Sequence, residues 1–143
     1  MATPFHTTVD LNGIHFEDRK VTMVLATSIV KADEGKPVTI DTAANNRVKI
    51  AGDGDNILGY LEVVENRVVE GIKVGTIALN YVAQWPIKAA DALAVGDVAV
   101  GAGAGEVKKA TLVVTTAQEP AVKPWGKNIV VAVSSGLATV VKV

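Results

Sequence analysis

Gly75-Thr76-Ile77-Ala78-Leu79-Asn80-Tyr81-Val82-Ala83-Gln84-Trp85-Pro86-Ile87-Lys88-Ala89-Ala90-Asp91-Ala92-Leu93-Ala94-Val95-Gly96-Asp97-Val98-Ala99-Val100 is the stretch whose reading decides the fold class. Over residues 76–85 the odd positions Ile77, Leu79, Tyr81, Ala83 and Trp85 carry the bulk, and the even positions are smaller or polar. A period of two lays one side of a pleated strand against a core. Pro86 has no N–H for a ladder, so the strand ends there. Residues 88–94, rich in alanine, read as about two turns of helix stopped by Gly96, and Asp97-Val98-Ala99-Val100 resumes as a strand. The pattern specifies a scaffold and no chemistry.

Working outward, upstream segments repeat the theme. Residues 21–30 and 37–41 read as two strands separated by the polar turn Asp33-Glu34-Gly35-Lys36. Asn45-Asn46 turns into residues 47–51, and Gly52-Asp53-Gly54-Asp55-Asn56 reverses the chain into residues 57–64 as a hairpin with a polar tip. Glu65-Asn66 predicts a second tight reversal into residues 67–74. Downstream, residues 97–100 and 106–109 read as a hairpin around the small-residue tip 101–105, residues 118–124 as a loop fixed by Pro120 and Pro124, and residues 128–133 and 137–143 as a terminal hairpin about Ser134-Ser135-Gly136. Short strands punctuated by turns predict a mostly β chain: a small β-barrel or β-sandwich with one short helix near residues 88–94. Residues 1–20 are weakly patterned and read as an N-terminal arm, leaving 21–143 as a single β-domain.

Composition agrees. The chain has 143 residues, of which 25 are valine and only six aromatic, so a pleated core filled by aliphatics is expected. Fourteen Lys and Arg oppose fifteen Asp and Glu, for a net charge of −1. No basic run is longer than a pair such as Lys108-Lys109, which argues against nucleic acid as a direct partner. No cysteine is present, so disulfides and thiolate chemistry are excluded. The N-terminus shows neither the basic segment nor the apolar stretch of a signal peptide, and no apolar run reaches membrane-spanning length. Synthesis in the cytoplasm without membrane association is expected.

Chemistry is hard to place. The serines Ser28, Ser134 and Ser135 stand outside any Gly-x-Ser-x-Gly elbow, and the two histidines, His6 and His15, lie in the arm. His6, Asp10, His15, Glu17 and Asp18 match no metal-ligand spacing. Asp53-Gly54-Asp55-Asn56 resembles the start of a calcium loop, but Ile57 stands where a third oxygen ligand belongs, so a hairpin turn explains it better. Gly101, Gly103 and Gly105 lack the spacing and following helix of a phosphate-binding loop. Glu62, Glu65 and Glu70 alternate with basic residues as solvated charge does. Trp85 and Trp125, each beside a proline, suit a core or interface better than a stacking platform. The expectation is a non-enzymatic protein without cofactor or metal that works by binding other protein surfaces.

One resemblance sharpens this. Arg67-Val68-Val69-Glu70-Gly71-Ile72-Lys73-Val74-Gly75-Thr76-Ile77, followed by residues 82–100 with Trp85-Pro86 and Lys88-Ala89-Ala90-Asp91-Ala92-Leu93-Ala94-Val95-Gly96-Asp97, resembles the capsid-decoration (cement, head-stabilising) proteins of tailed bacteriophages. In these a strand ends at a proline corner, a short Lys/Ala-rich helix follows, and the next strand starts after Gly-Asp. The resemblance covers about a third of the chain, and the arm and the two-proline loop have no counterpart in it. It implies a β-tulip-like domain that forms a homotrimer, sits on the outer capsid surface of the virion and stabilises the head by bridging major capsid proteins. Partner contacts are then expected from Phe5, His6, Val9 and Phe16 in the arm and from Trp125 in the loop. The alternative is a carbohydrate-binding or host-adhesion β-domain, which requires Trp85 or Trp125 exposed on a flat face.

Overall fold

The structure, a computed structural model, describes residues 19–111 and 128–142. Among them lie ten strands: β1 (Lys20–Leu25), β2 (Pro37–Ile40), β3 (Arg47–Ile50), β4 (Gly59–Arg67), β5 (Ile72–Ala78), β6 (Tyr81–Pro86), β7 (Ala99–Gly103), β8 (Glu106–Lys109), β9 (Ile129–Ser134) and β10 (Leu137–Lys142). Five close into a barrel in the order β1-β3-β2-β4-β5, three form a second sheet in the order β6-β10-β9, and β7 pairs with β8. The chain therefore has the mostly β, small-barrel architecture that its alternating pattern predicts. β1 runs parallel to β3 through Val24↔Arg47 and Leu25↔Val48, while β5 closes the barrel antiparallel to both β1 and β4.

A five-stranded barrel encloses little space, and aliphatic side chains fill it. Leu25, Ile29, Val38, Val48, Leu61, Val64 and Ile77 form its core. The wall is so tight that a Cβ on Gly59 would stand 2.5 Å from the Ala78 carbonyl oxygen, and one on Gly75 would stand 2.8 Å from Leu25 Cδ2. A second core lies between the barrel, the three-stranded sheet and the β7–β8 hairpin. It contains Tyr81, Ala83, Trp85, Leu93, Ala99, Val107, Val130, Ala138 and Val140, with Ala51, Ile57 and Ala78 from the barrel side.

Residues 76–85, expected as one strand, are two. The chain bends at Leu79-Asn80, where the Leu79 N–H donates to the Arg19 carbonyl at 2.8 Å, and passes from the barrel wall into the second sheet. The odd positions stay buried across the bend but change cores: Ile77 faces the barrel core, whereas Tyr81, Ala83 and Trp85 face the second core and Val82, Gln84 and Pro86 are exposed; before the bend the even-numbered Ala78 is buried too, on the second-core side. A strand that kept straight would carry one of its cores into solvent.

Three further expectations are corrected. Residues 88–94 form no helix. The Asp91 N–H donates to the Lys88 carbonyl at 3.0 Å, Ala90 adopts a left-handed φ of 66°, and the chain then runs extended so that Leu93 enters the second core. Seven residues nucleate a helix poorly, and the Asp91 carboxylate accepts from the Lys109 N–H at 3.0 Å instead of serving a helix. Residues 47–51 and 57–64 are not a hairpin, because β2 lies between β3 and β4. The loop joining them is pinned elsewhere: the Gly54 N–H donates to the Gly101 carbonyl and the Gly101 N–H to the Asp55 carbonyl, both at 2.9 Å. The reversal expected at Glu65-Asn66 falls at Val68–Glu70, a 3-10 turn closed by Gly71 at φ 68°, a conformation glycine adopts without a Cβ clash. The terminal hairpin forms where it was expected, and so does the β7–β8 hairpin except that Gly101–Gly103, expected in its tip, belong to β7 and the turn is Ala104-Gly105.

Two substitutions test this packing by urea unfolding. Trp85→Ala is expected to lower stability by about 3–5 kcal/mol. Gly101→Ala is expected to cost about 1–3 kcal/mol, because its Cβ would lie 2.6 Å from the Ala51 Cβ and 2.7 Å from the Gly52 carbonyl oxygen. Retention of wild-type stability by either variant contradicts the close approach described.

Candidate interaction surfaces

The motifs that suggested chemistry resolve into structure. Asp53 bridges Lys88 at 2.9 Å and Lys108 at 3.0 Å, so the calcium-like turn is tied to the β7–β8 side by ammonium groups. The glycine-rich tip is the β7–β8 hairpin. Glu62 binds Lys20 at 2.9 Å, while Glu65 and Glu70 both face Arg67, at 3.4 and 3.5 Å. Ser28, Ser134 and Ser135 are exposed. Among the described residues no three His, Asp or Glu side chains are grouped to hold a metal, and no helix is long and apolar enough to cross a membrane. Phe5, His6, Val9, Phe16 and Trp125, expected to contact partners, lie outside the described residues, as do His15 and the two-proline loop.

Trp85 is buried, with 2% of its surface exposed. Its indole N–H donates to the Gly35 carbonyl at 2.7 Å, and its ring lies 5.3 Å from Tyr81 and 6.5 Å from Tyr60. It is a core tryptophan and offers no face to a ligand. Beside it the Tyr81 hydroxyl donates to Asn128 Oδ1, and Asn128 Nδ2 donates to the Ile57 carbonyl at 3.1 Å. Burial pushes the Tyr81 pKa up, so the phenol stays neutral and acts as a donor. The Lys142 ammonium donates to the Leu58 carbonyl at 2.6 Å, and partial burial pulls its pKa down.

Two surfaces stand out. The first is the outer face of the β6-β10-β9 sheet. Among these three strands Lys142 is the sole charged residue, and its ammonium turns inward to Leu58. On the outer face Val82 pairs across strands with Val141, Gln84 with Thr139, and Thr139 with Ala132. Val82 is 63% exposed, and among the described residues of these strands no carboxylate or ammonium interrupts the face. Solvated sheet faces ordinarily carry charge, so this one has the composition of a contact surface.

The second is the end of the β4–β5 hairpin. β2 pairs with β4 only at Gly59 and Tyr60, and β1 reaches along β5 only to Val74. The hairpin runs on as a two-stranded finger, pairing Glu65 with Val74, Asn66 with Lys73 and Arg67 with Ile72. Val68 is 76% exposed and Val69 fully so, and the Glu65–Arg67–Glu70 pairs collar them. At the finger's base a groove of about 400 Å³ is lined by Val30, Lys31, Val64, Glu65, Asn66 and Lys73. The sequence pattern puts Val68-Val69 inside a strand of residues 67–74, and an apolar pair in a β-pattern carries no sign that it will face water.

Elsewhere charges pair locally. Lys31 and the Val64 N–H hold the Glu34 pKa down, the Ala43 N–H and Arg47 that of Asp41, Lys88 and Lys108 that of Asp53, and Lys109 and the Ala94 N–H that of Asp97. Each is lower folded than unfolded, so the unfolded chain binds more protons in acid and stability rises with pH through that window. Thermal midpoints are expected to be level near neutrality and to fall once pH drops below the ordinary carboxylate range, with added salt flattening the profile. A midpoint that rises on acidification contradicts this arrangement.

No protein-family model matches the chain, and no curated protein is similar to it in sequence.

Proposed function

We propose that the chain is a structural virion protein that binds the outside of a tailed-phage head and stabilises it by bridging major capsid proteins, without catalytic activity. The observation that carries this reading is the charge-free outer face of the β6-β10-β9 sheet. An uncharged face that exposes valine beside small and neutral polar side chains favours extended contact with another protein surface, where burial of area supplies affinity and no pocket is required.

The motif of residues 67–77 and 82–100 supports the reading in part. A strand ending at Pro86 and Gly96-Asp97 ahead of β7 are there, but Pro86 still pairs with Leu137 and the chain runs on through Ile87 without a corner at the proline, and the helix of the resembled proteins is replaced by the Lys88–Asp91 turn and an extended run. The carbohydrate-binding alternative has lost one of its two platforms, since Trp85 is buried.

The test is binding of the purified protein to empty heads assembled from the major capsid protein encoded with it, read by co-sedimentation. Wild-type protein is expected to sediment with the heads and to raise their melting temperature. Val82→Glu, at a largely exposed position, is expected to fold normally and bind at least about tenfold more weakly. Deletion of residues 2–12 tests the arm in the same assay. Absence of wild-type binding sinks the proposal, and full binding by Val82→Glu sinks the assignment of the face.

A further inference from the structure

We infer that residues 13–18, the segment running into β1, dock as an added strand along the open edge of β6, a strap that closes the second sheet on its barrel side. This does not depend on the capsid reading.

The edge follows from hydrogen-bond parity. The Ile87 N–H donates to the Gly136 carbonyl on the β10 side at 2.8 Å, and the Lys88 N–H to the Val107 carbonyl on the other side at 2.9 Å. Backbone groups alternate sides along a strand. Tyr81, Ala83 and Trp85 therefore bond to β10, while the N–H and C=O of Val82 and Gln84 point away from it and meet no backbone partner among the described residues. Pro86, which has no N–H to leave unpaired, stands at the next position on that edge. No side chain from Tyr81 to Pro86 is charged, and an open, uncharged edge is a template for pairing.

The occupant is named by where β1 points. β1 and β4 flank β5 on opposite sides, and the Lys142 ammonium at the end of β10 reaches Leu58, one residue before β4. β10 thus lies on the β4 side, and the open edge of β6 on the β1 side. The Arg19 carbonyl accepts from the Leu79 N–H at 2.8 Å, three residues before Val82, so the chain ahead of Arg19 starts at the edge. Six residues at strand rise cover about 20 Å, the length of β6. Lys20 pairs with Ala78, and Ala78 belongs to the second core, so even positions of this strand face that core. Ile14-His15-Phe16-Glu17 places its apolar residues on even positions. Docked in this way, Ile14 and Phe16 extend the second core, and His15 and Glu17 border the uncharged outer face. Attachment to β1 keeps the segment at high effective concentration.

Amide hydrogen exchange of the full chain, resolved by NMR, tests it. The Val82 and Gln84 amides are expected to exchange at least about a hundredfold more slowly than unstructured ones, equally over about 10 µM to 1 mM protein. His15→Pro removes an N–H directed at β6, because odd positions of this strand bond on the β5 side as Arg19 does. It is expected to return both amides to fast exchange while Ile77, in the barrel wall, stays protected. Deletion of residues 2–12 is expected to leave both amides slow. Fast exchange of Val82 and Gln84 in the wild-type protein overturns the inference. So does protection that survives His15→Pro, or protection that appears only as concentration rises, which assigns the edge to a second copy.

Discussion

Trp85 donates its indole N–H to the Gly35 carbonyl while its ring packs beside Tyr81 and Tyr60, and that buried side chain bridges the barrel and the second sheet. Gly35 sits in the turn before β2, Tyr60 on β4 and Tyr81 at the start of β6, so one residue ties two barrel elements to the second sheet. A chain with six aromatics has few side chains large enough to span two layers, and three of them meet here. The aliphatic cores on either side are then filled by small side chains that pack well only if the layers are already at the correct spacing. Gly59, Gly75 and Gly101 are the other half of that constraint, each allowing an approach that a Cβ would block.

Much of the architecture was legible from period alone. Alternation assigned the burial of Ile77, Tyr81, Ala83 and Trp85 correctly but missed that of Ala78, because β5 has the barrel core on one face and the second core on the other. The bend itself was not legible: Leu79-Asn80 satisfies the strand pattern as well as its neighbours do, and only the need to serve two cores breaks the ladder there. The false helix at 88–94 has a similar cause. Alanine-rich composition reports local propensity, whereas Leu93 is captured by a distant core and Asp91 by the backbone of β8, and tertiary partners override a weak local preference. Pairing order was the least legible of all. Hairpins between neighbours are the default, and nothing in residues 52–56 announces that their backbone will bond to Gly101 and leave β2 to intervene.

The candidate surfaces differ in how far the sequence could reveal them. The absence of charge from β6, β9 and β10 can be read directly, but it becomes a face only once the strands are known to be adjacent, since the segments are separated by more than forty residues between β6 and β9. The finger depends on lengths: β4 and β5 project because β1 and β2 stop short of them, a relation among four strands that no local pattern encodes. The residues expected to meet partners, Phe5, His6, Val9, Phe16 and Trp125, are singled out by aromatic or apolar character in unpatterned segments. That criterion passes over a valine pair at a hairpin end.

An apolar face and a charged finger tip contribute different things to association. Burying the charge-free face yields free energy in proportion to area and little preference among orientations, because hydrophobic contact is non-directional. The finger end is more directional: Val68 and Val69 are collared by Glu65, Arg67 and Glu70, and a partner whose charges run in the wrong order meets like charges there. A protein that relied on the face alone would adhere in many registers, and one that relied on the finger alone would bind weakly. Joined rigidly through the barrel, the finger can fix the geometry in which the face is presented, which is the property required of a protein whose binding must be extensive and still ordered.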